Sequence, residues 1–386
     1  MTDPGATDDP LSVLTVNAGS TSVKLRVLGP GDKLLAHRDL GPLLGHGAPF
    51  AASLADLDRL FPIGAVAHRV VHGGPNHTKP ALVDDDLIAE LAELENLAPS
   101  HAGPALAAMR VALTTFAVPQ VASFDTAFHA GLPAEASTYA IPLRWRERYT
   151  LRRYGFHGLS HAFAARRTAF LLDVAPTQLR LVSCHLGGGA SLAAIRGGRS
   201  VDTTMGFTPL EGLVMSTRSG SVDPGLLLWL ARTANLGLDE LARSLEHESG
   251  LLALAGRPDT LGALYARADA GDDRCQLAVD VYLHRLAAGI AAMTASLGGL
   301  DALVFTGGVG EHEPRLRHAV AERLGYLGVA VDPVHNSVVG GVDAIISPDD
   351  SAAAVLVVHA REDLELARDL RGCLRELAFG RLTVPS

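Results

Sequence analysis

LRLVSCHLGGGASLAAIRGGRSVDTTMGFTPLEGLVMSTRSGSVDPG, residues 179–225, holds the pattern on which the rest of the chain turns. An apolar run, Leu181–Cys184, leads into His185-Leu186-Gly187-Gly188-Gly189, and the chain returns as Ser191–Ile195. Three successive glycines bare their backbone N–H groups and let a ligand approach without meeting a Cβ. Amide dipoles gathered in this way suit the oxygens of a polyphosphate. A flexible hairpin tip has the same composition, so the tip alone does not decide between the two. The start of the chain repeats the move. Leu11–Asn17 reads as an apolar strand, Ala18–Ser22 as a small hydroxyl-rich turn and Val23–Leu28 as a second strand. Strand, phosphate-sized turn and strand, built twice, predict a duplicated fold holding one anionic ligand between its halves.

A length of 386 residues predicts two domains. Apolar residues make up 48% and charged residues 19%, which allows substantial burial. The net charge of −9 comes without any Lys/Arg run, so neither nucleic acid nor a membrane surface is an expected partner. An anionic ligand then needs locally placed cations. Of the three lysines, Lys24 follows the first turn directly. Cys184, Cys275 and Cys373 are odd in number and lack metal spacing, which predicts reduced core thiols in a cytoplasmic protein. The opening MTDPGATDDP reads as a frayed acidic tail and not as a signal peptide. The longest apolar stretch, Leu286–Leu300, is short for a bilayer and reads as a buried helix.

Strand-like and helical patterns alternate throughout, predicting an α/β fold. Expected strands are Ile63–Val71, Gln120–Phe124, Ala302–Phe305 and Ala353–His359. Expected helices are Asp84–Glu95 (Leu87, Leu91 and Leu94 inward), Ala105–Phe116, Phe163–Leu172, Ala278–Ser296, one opened by Pro314, and Glu362–Leu377. Arg144–Tyr154 reads as the passage between domains. The boundaries follow: an N-terminal domain over 1–148, completed by the C-terminal helix at about 361–386, and a nucleotide-binding domain over 149–360.

Neither GxxxxGK[ST] nor GxGxxG occurs. The polar candidates sit at strand ends, where open α/β sheets bind ligands. Asn17, Ser20, Ser22 and Lys24 decorate the first turn, offering donors to phosphate and an oxygen to a metal. Arg69, inside a strand, must be paired or face a cleft, because an isolated buried charge is very costly. Asp125 ends a strand, suited either to positioning a metal or nucleophile or to capping the next segment. His157 stands between glycine turns, whereas His161 has a purely structural reading. Arg218 lies in a polar loop among small residues, a ligand contact or a surface arginine. Two arginines, a histidine and a glycine-walled phosphate site together fit phosphoryl transfer to or from an anionic acceptor.

VNAGSTSVK (16–24), AHRVVHGG (67–74), SFDTAFH (123–129), YGFHGLSH (154–161), HLGGGAS (185–191), DTTMGFTPLEGLVMSTRSG (202–220) and FTGGVGEH (305–312) resemble, in order and spacing, the acetate kinase family of acetate, propionate and butyrate kinases. The resemblance runs from about residue 12 to 370. It implies two duplicated domains of the actin, sugar-kinase and ribonuclease H-like type, with an active-site cleft between them. It further implies a Mg²⁺- or Mn²⁺-dependent cytoplasmic homodimer making acyl phosphate and ADP from ATP and a short-chain carboxylate. Asn17, Ser20, Ser22 and Lys24 would then lie against phosphates and metal, with Glu362 as the acidic metal residue. Arg69 and Arg218 would hold the acyl carboxylate and the transferring phosphoryl group. Asp125 would organise the acceptor side, and His157 would stabilise the transition state. Val71, Phe156 and Pro209 would wall the acyl pocket. His185, Gly187, Gly188, Gly189, Asp259, Thr260, Leu261, Gly308, Gly310 and His312 would line the nucleotide site.

The chain departs from the family's usual pattern in both pockets. Gly188 and His312 stand at asparagine positions, Ser216 and Ser221 replace Gly and Asp, and Leu261 replaces an arginine. TNEEL becomes AREDL around Glu362. Ser100 replaces a leucine of the acyl pocket, which predicts an acceptor somewhat larger or more polar than acetate. Three alternatives remain at this stage: a homologue that binds a nucleotide or metabolite without catalysis, a kinase using another acid or phosphoryl donor, and a sugar kinase. A sugar kinase needs a base aimed at a hydroxyl, whereas two arginines at the acceptor suit a carboxylate.

Overall fold

The computed structural model describes residues 11–19, 22–43, 48–95, 99–338 and 341–380, with only the backbone of 99–101. They form two compact units. The first holds the described residues up to Ala130, Phe156–Phe163 and those from Arg361 on; the second holds Gly131–Gly155 and Ala164–Ala360.

The first unit is built on β1 (Val13–Ala18), β2 (Val23–Leu28), β3 (Leu34–Leu40), β4 (Ala65–Val70), β5 (Ala81–Leu82) and β6 (Gln120–Phe124). They run in the order β3-β2-β1-β4-β6-β5. The β1–β2 hairpin is antiparallel, with Asn17 opposite Lys24, while β1, β4 and β6 are mutually parallel. Alternate residues of β1 enter different cores. Leu14 and Val16 pack with Phe50, Leu54 and Ala112 on one face. Val13, with Ala65, Ala67 and Val121, meets Leu366, Ala367, Leu370 and Cys373 of the helix Glu362–Ala378 on the other. Both faces are covered, so residues pointing to either face of the strand are buried instead of alternating buried and exposed.

The second unit contains β7 (Arg180–Leu186), β8 (Ala190–Arg196), β9 (Arg199–Thr203), β10 (Ala302–Thr306), β11 (Ala344–Ile345) and β12 (Ala354–Val357). Their order, read from the far edge, is β9-β8-β7-β10-β12-β11, the same topology strand for strand. Here too a three-strand antiparallel meander is followed by two parallel strands and a short antiparallel edge. The expected α/β duplication is therefore present as two six-stranded sheets of one topology.

The long apolar helix spans Asp273–Leu297 and buries Cys275, Val279, Leu283, Leu286, Ile290 and Leu297. It is the one helix among the described residues long and apolar enough, by length and composition alone, to cross a membrane, and half of its apolar window is buried. All three cysteines are free and buried. Several elements carried no usable sequence signal, among them the half-exposed β3, the two-residue β5 and β11, and the helices Ala48–Leu60 and Pro224–Thr233. Arg144–Tyr154, read as a passage, overlaps the helix Leu143–Tyr149.

Two buried histidines make the first unit acid-sensitive. His68 Nε2 donates to Gln120 Oε1 at 2.9 Å, and His129 Nε2 donates to the Phe156 carbonyl at 3.1 Å. Burial, only partly offset by these hydrogen bonds, pushes both pKa values down to about 4. Below the ordinary value of about 6.5 the unfolded chain binds protons that the folded one refuses, so stability falls as pH drops through this window. Urea unfolding from pH 6.5 to 5 should show a loss of about 2 kcal/mol for each histidine, a range in which few carboxylates titrate. A flat profile, or one unchanged in His68→Gln and His129→Gln, would contradict this.

Candidate active site

Parallel strands end at one edge of their sheet, and in the first unit that edge carries charge. Asn17 comes from β1, Arg69 from the penultimate position of β4, and Asp125 from the residue after β6. Glu362 is the first residue of the C-terminal helix. The four side chains form one network. Arg69 Nε donates to Asp125 Oδ1 at 3.1 Å and Nη2 to Oδ2 at 2.6 Å. Its Nη1 donates to Asn17 Oδ1 at 3.2 Å and lies 3.4 Å from Glu362 Oε2. Asn17 Nδ2 completes the ring by donating to Glu362 Oε2 at 3.0 Å.

Asp125 is 1% exposed and Arg69 16%. Burial is the largest influence on both, raising the Asp125 carboxyl and opposing the charge of Arg69. Asp125 and Glu362 outweigh it at Arg69, whose pKa lies above its ordinary value. The two partners are thus pulled toward different ionisation states. The bidentate geometry favours the ionised pair, because only a carboxylate can accept both guanidinium donors. Asp125 gains a further donor from the His157 backbone N–H. Its side chain therefore serves Arg69, and the alternative of a helix cap is not used.

The Asp125 backbone fixes the neighbouring turn. Gly158 N–H donates to the Asp125 carbonyl at 3.0 Å, and a Cβ on Gly158 would stand 2.1 Å from that oxygen. Only glycine lets the helix that begins there come so close. His157 accordingly takes a left-handed φ of 56°, while His129 holds the preceding carbonyl of Phe156. Phe156 is buried, with its ring edge-on to His72 at 5.4 Å. Val71 and His72 border a narrow apolar cavity of about 10 Å³ with Leu91, Leu106 and Met109, room for a single water. Lys24 is exposed on β2 opposite Asn17, and Ser22 ends the turn, its carbonyl accepting from Gly19 N–H at 2.9 Å. Ser20 lies outside the described residues, as does the side chain of Ser100.

In the second unit the corresponding edge carries glycines instead of charge. A cavity of about 580 Å³ is lined there by Gly187, Gly188, Asp259, Thr260, Leu261 and Gly308, six of the residues expected at a nucleotide. Main-chain bonds stitch its walls together: Ser216 N–H donates to the Gly188 carbonyl at 3.2 Å, and Leu252 N–H to the Ser216 carbonyl at 2.9 Å. Four other expected residues lie off the lining. His185 is half-buried in β7 opposite Ser191, Gly189 accepts from Gly187 N–H, and Gly310 packs against Phe305. His312 is exposed and turns Nδ1 back to the Gly308 carbonyl at 2.9 Å. Thr217, Leu251, Leu252, Pro258, Tyr282, Val309 and Glu313 also line the cavity and were not among the expected residues. The apolar ones resemble ordinary core positions, and Glu313 reads only as the residue before a helix-opening proline.

Arg218 differs from Arg69 in its partners. Its Nη1 donates to the Pro209 carbonyl at 3.2 Å and lies 3.8 Å from Met215 Sδ. Among the described residues no carboxylate forms an ion pair with it, and burial lowers its pKa although Glu246 acts in the other direction. A half-buried guanidinium of this kind is electrostatically suited to an anion. As to a divalent metal, the described residues hold no cluster of three or more His, Cys, Asp or Glu. Asn17 and Glu362 nevertheless offer adjacent hard oxygens. That suits Mg²⁺, which keeps several waters and takes one or two carboxylates plus substrate phosphate oxygens.

The sequence model of the Acetokinase family matches residues 52–368. An acetate kinase of Clavibacter michiganensis is 43% identical over 92% of this chain and 97% of its own length. One from Gloeobacter violaceus is 49% identical over 80% of this chain and 76% of its own. The crystal structure of Porphyromonas gingivalis acetate kinase superposes with a TM-score of 0.87 at 31% identity, covering 94% of this chain and all of that one. A propionate kinase from Francisella tularensis gives 0.85 at 31% identity, covering 93% and 98%. With this likeness spread over nearly its full length, the chain belongs to the acetokinase family, phosphotransferases that use a carboxyl group as acceptor.

Proposed function

We propose that this protein transfers the terminal phosphoryl group of ATP reversibly to a short-chain carboxylate of the acetate or propionate type. The observation that carries the residue assignment is Arg218, a half-buried guanidinium held by a carbonyl and a thioether and by no carboxylate among the described residues. In the reaction an oxygen of the acid attacks the γ-phosphorus, the bond to the β-phosphate oxygen breaks, and its electron pair leaves with ADP. No proton has to move, because the acceptor is already a carboxylate. The protein's task is to place the reactants and to balance charge spreading over the transferring group.

Arg218 neutralises the phosphoryl group in flight, and His157 donates to its oxygens. Arg69 holds the acid, with Asp125 fixing its orientation. Three of the five guanidinium N–H groups of Arg69 donate to Asp125 and Asn17, with Glu362 an ion-pair partner of Nη1, which leaves two for substrate. Val71, Phe156, Pro209 and Ser100 bound the acyl group. The cavity lined by Gly187, Gly188 and Gly308 receives the nucleotide. Asn17 and Glu362 hold Mg²⁺ or Mn²⁺, partly through water. When bound, the cation neutralises phosphate charge and fixes the phosphate geometry.

The protein acts in the cytoplasm, where its three free thiols stay reduced. It acts as a homodimer; the helix Pro224–Thr233 leaves Leu226, Leu228 and Trp229 exposed, and such side chains are typical of covered interfaces.

Acyl phosphate can be trapped with hydroxylamine from ATP and a panel of acetate, propionate, butyrate, lactate and glycolate. Arg218→Ala and Arg69→Ala should each lower kcat at least about a hundredfold, and excess chelator should abolish turnover. Wild-type turnover in either variant, or full activity in chelator, would overturn the assignment. Trp229→Glu should convert the dimer to monomers by light scattering. Wild-type mass in this variant would place the interface elsewhere.

A further inference from the structure

The large cavity of the second unit is acidic. Among its described lining residues the charged ones are Asp259 and Glu313, and no lysine or arginine lines it. A triphosphate is repelled by carboxylates, so its phosphates belong with the Gly188 amide and the Ser216 hydroxyl, since Gly187 N–H already donates to the Gly189 carbonyl and Thr217 Oγ1 to the Glu246 carbonyl. The carboxylates are left to the uncharged nucleoside end. Most polar groups at that end are already engaged. Asp259 Oδ2 accepts from Arg267 Nε at 2.9 Å, and Thr260 Oγ1 accepts from Ala263 N–H at 3.3 Å as a helix cap. Leu261 is apolar, and the remaining walls are Leu251, Leu252, Pro258, Tyr282 and Val309.

Glu313 is different. Its carboxylate sits against the Gly262 backbone, at the start of the helix Leu261–Asp269, where that N–H favours the charged form. A Cβ on residue 262 would stand 2.7 Å from Oε1, so the glycine is what lets the carboxylate seat there. Among the described residues no cation pairs with it, and most of its lone pairs remain available. Burial raises its pKa, with the Gly262 N–H, Arg317 and His312 acting against this. An acceptor held in place at the nucleoside end matches the O–H and N–H donors of a nucleoside.

Resting on the nucleotide-dependent reading above, we propose that Glu313 is a specificity-determining residue, accepting a hydrogen bond from an uncharged O–H or N–H donor of the nucleoside. The donor is either a ribose hydroxyl or the exocyclic amino group of the base. Both carry the same chemistry, and substrate analogues separate them.

The test compares wild type with Glu313→Ala and Glu313→Gln, the latter keeping an acceptor for Gly262. The donors are ATP, 2′-deoxy-ATP, 3′-deoxy-ATP, purine riboside triphosphate and pyrophosphate, read as kcat/KM, with ADP binding by calorimetry as a readout independent of turnover. Glu313→Ala should lose about 10–30-fold with ATP and weaken ADP to a similar extent, as loss of one polar contact to substrate does. Glu313→Gln should lose less. The analogue lacking the bonded donor should cost wild type the same factor and cost Glu313→Ala nothing further, which identifies ribose or base. Pyrophosphate turnover, where present, should be unaffected by either substitution.

The inference falls if both variants use ATP and bind ADP within about twofold of wild type, or if every analogue loses equally in wild type and variant. It also falls if wild type binds no nucleotide. If wild type binds ADP yet forms no acyl phosphate from any donor and acid, the kinase reading fails. The calorimetric comparison then still decides the role of Glu313.

Discussion

The bidentate pair between Arg69 and Asp125 is the constraint on which the first unit's functional edge depends. Neither charge could stay at its depth alone; removing one partner of such a pair typically costs about 3–5 kcal/mol because the other is left buried and uncompensated. The pair locks the end of β4 to the end of β6, and Asn17 and Glu362 extend it to β1 and to the C-terminal helix. Segments as distant in the chain as residues 17 and 362 are thereby held within one hydrogen-bonded ring. The arrangement also limits what Arg69 can do. A guanidinium with most of its donors engaged is an oriented, rigid contact, and Arg218, without a carboxylate ion-pair partner among the described residues, is the freer cation for an anion in motion.

The two sheets show how one topology is put to two uses. Each carries a meander, two parallel strands and a short edge, so each brings several strand ends to one side. In the first unit those ends carry Asn17, Arg69 and Asp125, side chains that grip by charge. In the second they lead into Gly187-Gly188 and Gly307-Gly308, where bare backbone replaces side chains and leaves a cavity of about 580 Å³. Charge suits a small carboxylate and a hard cation, and exposed amides suit a polyphosphate.

Buried histidines support this frame without joining it. His129 holds the Phe156 carbonyl and so supports the turn that carries His157 in its left-handed conformation. Both His129 and His68 stay neutral at ordinary pH, because burial makes protonation unfavourable there. They serve as neutral hydrogen-bond donors, and the price of that role is sensitivity to acid.

Much of this was legible along the chain. The strand–turn–strand move made at residue 11 and again at residue 181 announced the duplication, because apolar runs and glycine turns are local signals. Asn17, Arg69 and Asp125 were likewise legible as candidates, since polar residues in or at the ends of apolar strands stand out, whereas Glu362 was suggested only by the family resemblance. Their mutual saturation was not legible, as it depends on which strands become neighbours. The same holds for Glu313, Tyr282 and Leu251, whose positions carry no distinctive local pattern and reach a cavity only through the packing of remote helices. The half-exposed β3 and the two-residue β5 and β11 escaped notice for a related reason: an edge strand is defined by its partner more than by its own composition. The sequence alone determined the kinds of groups present and their order. The tertiary structure decided which charges are spent on one another and which remain for a ligand, because pairing energies depend on distance and burial, and neither is written in one dimension.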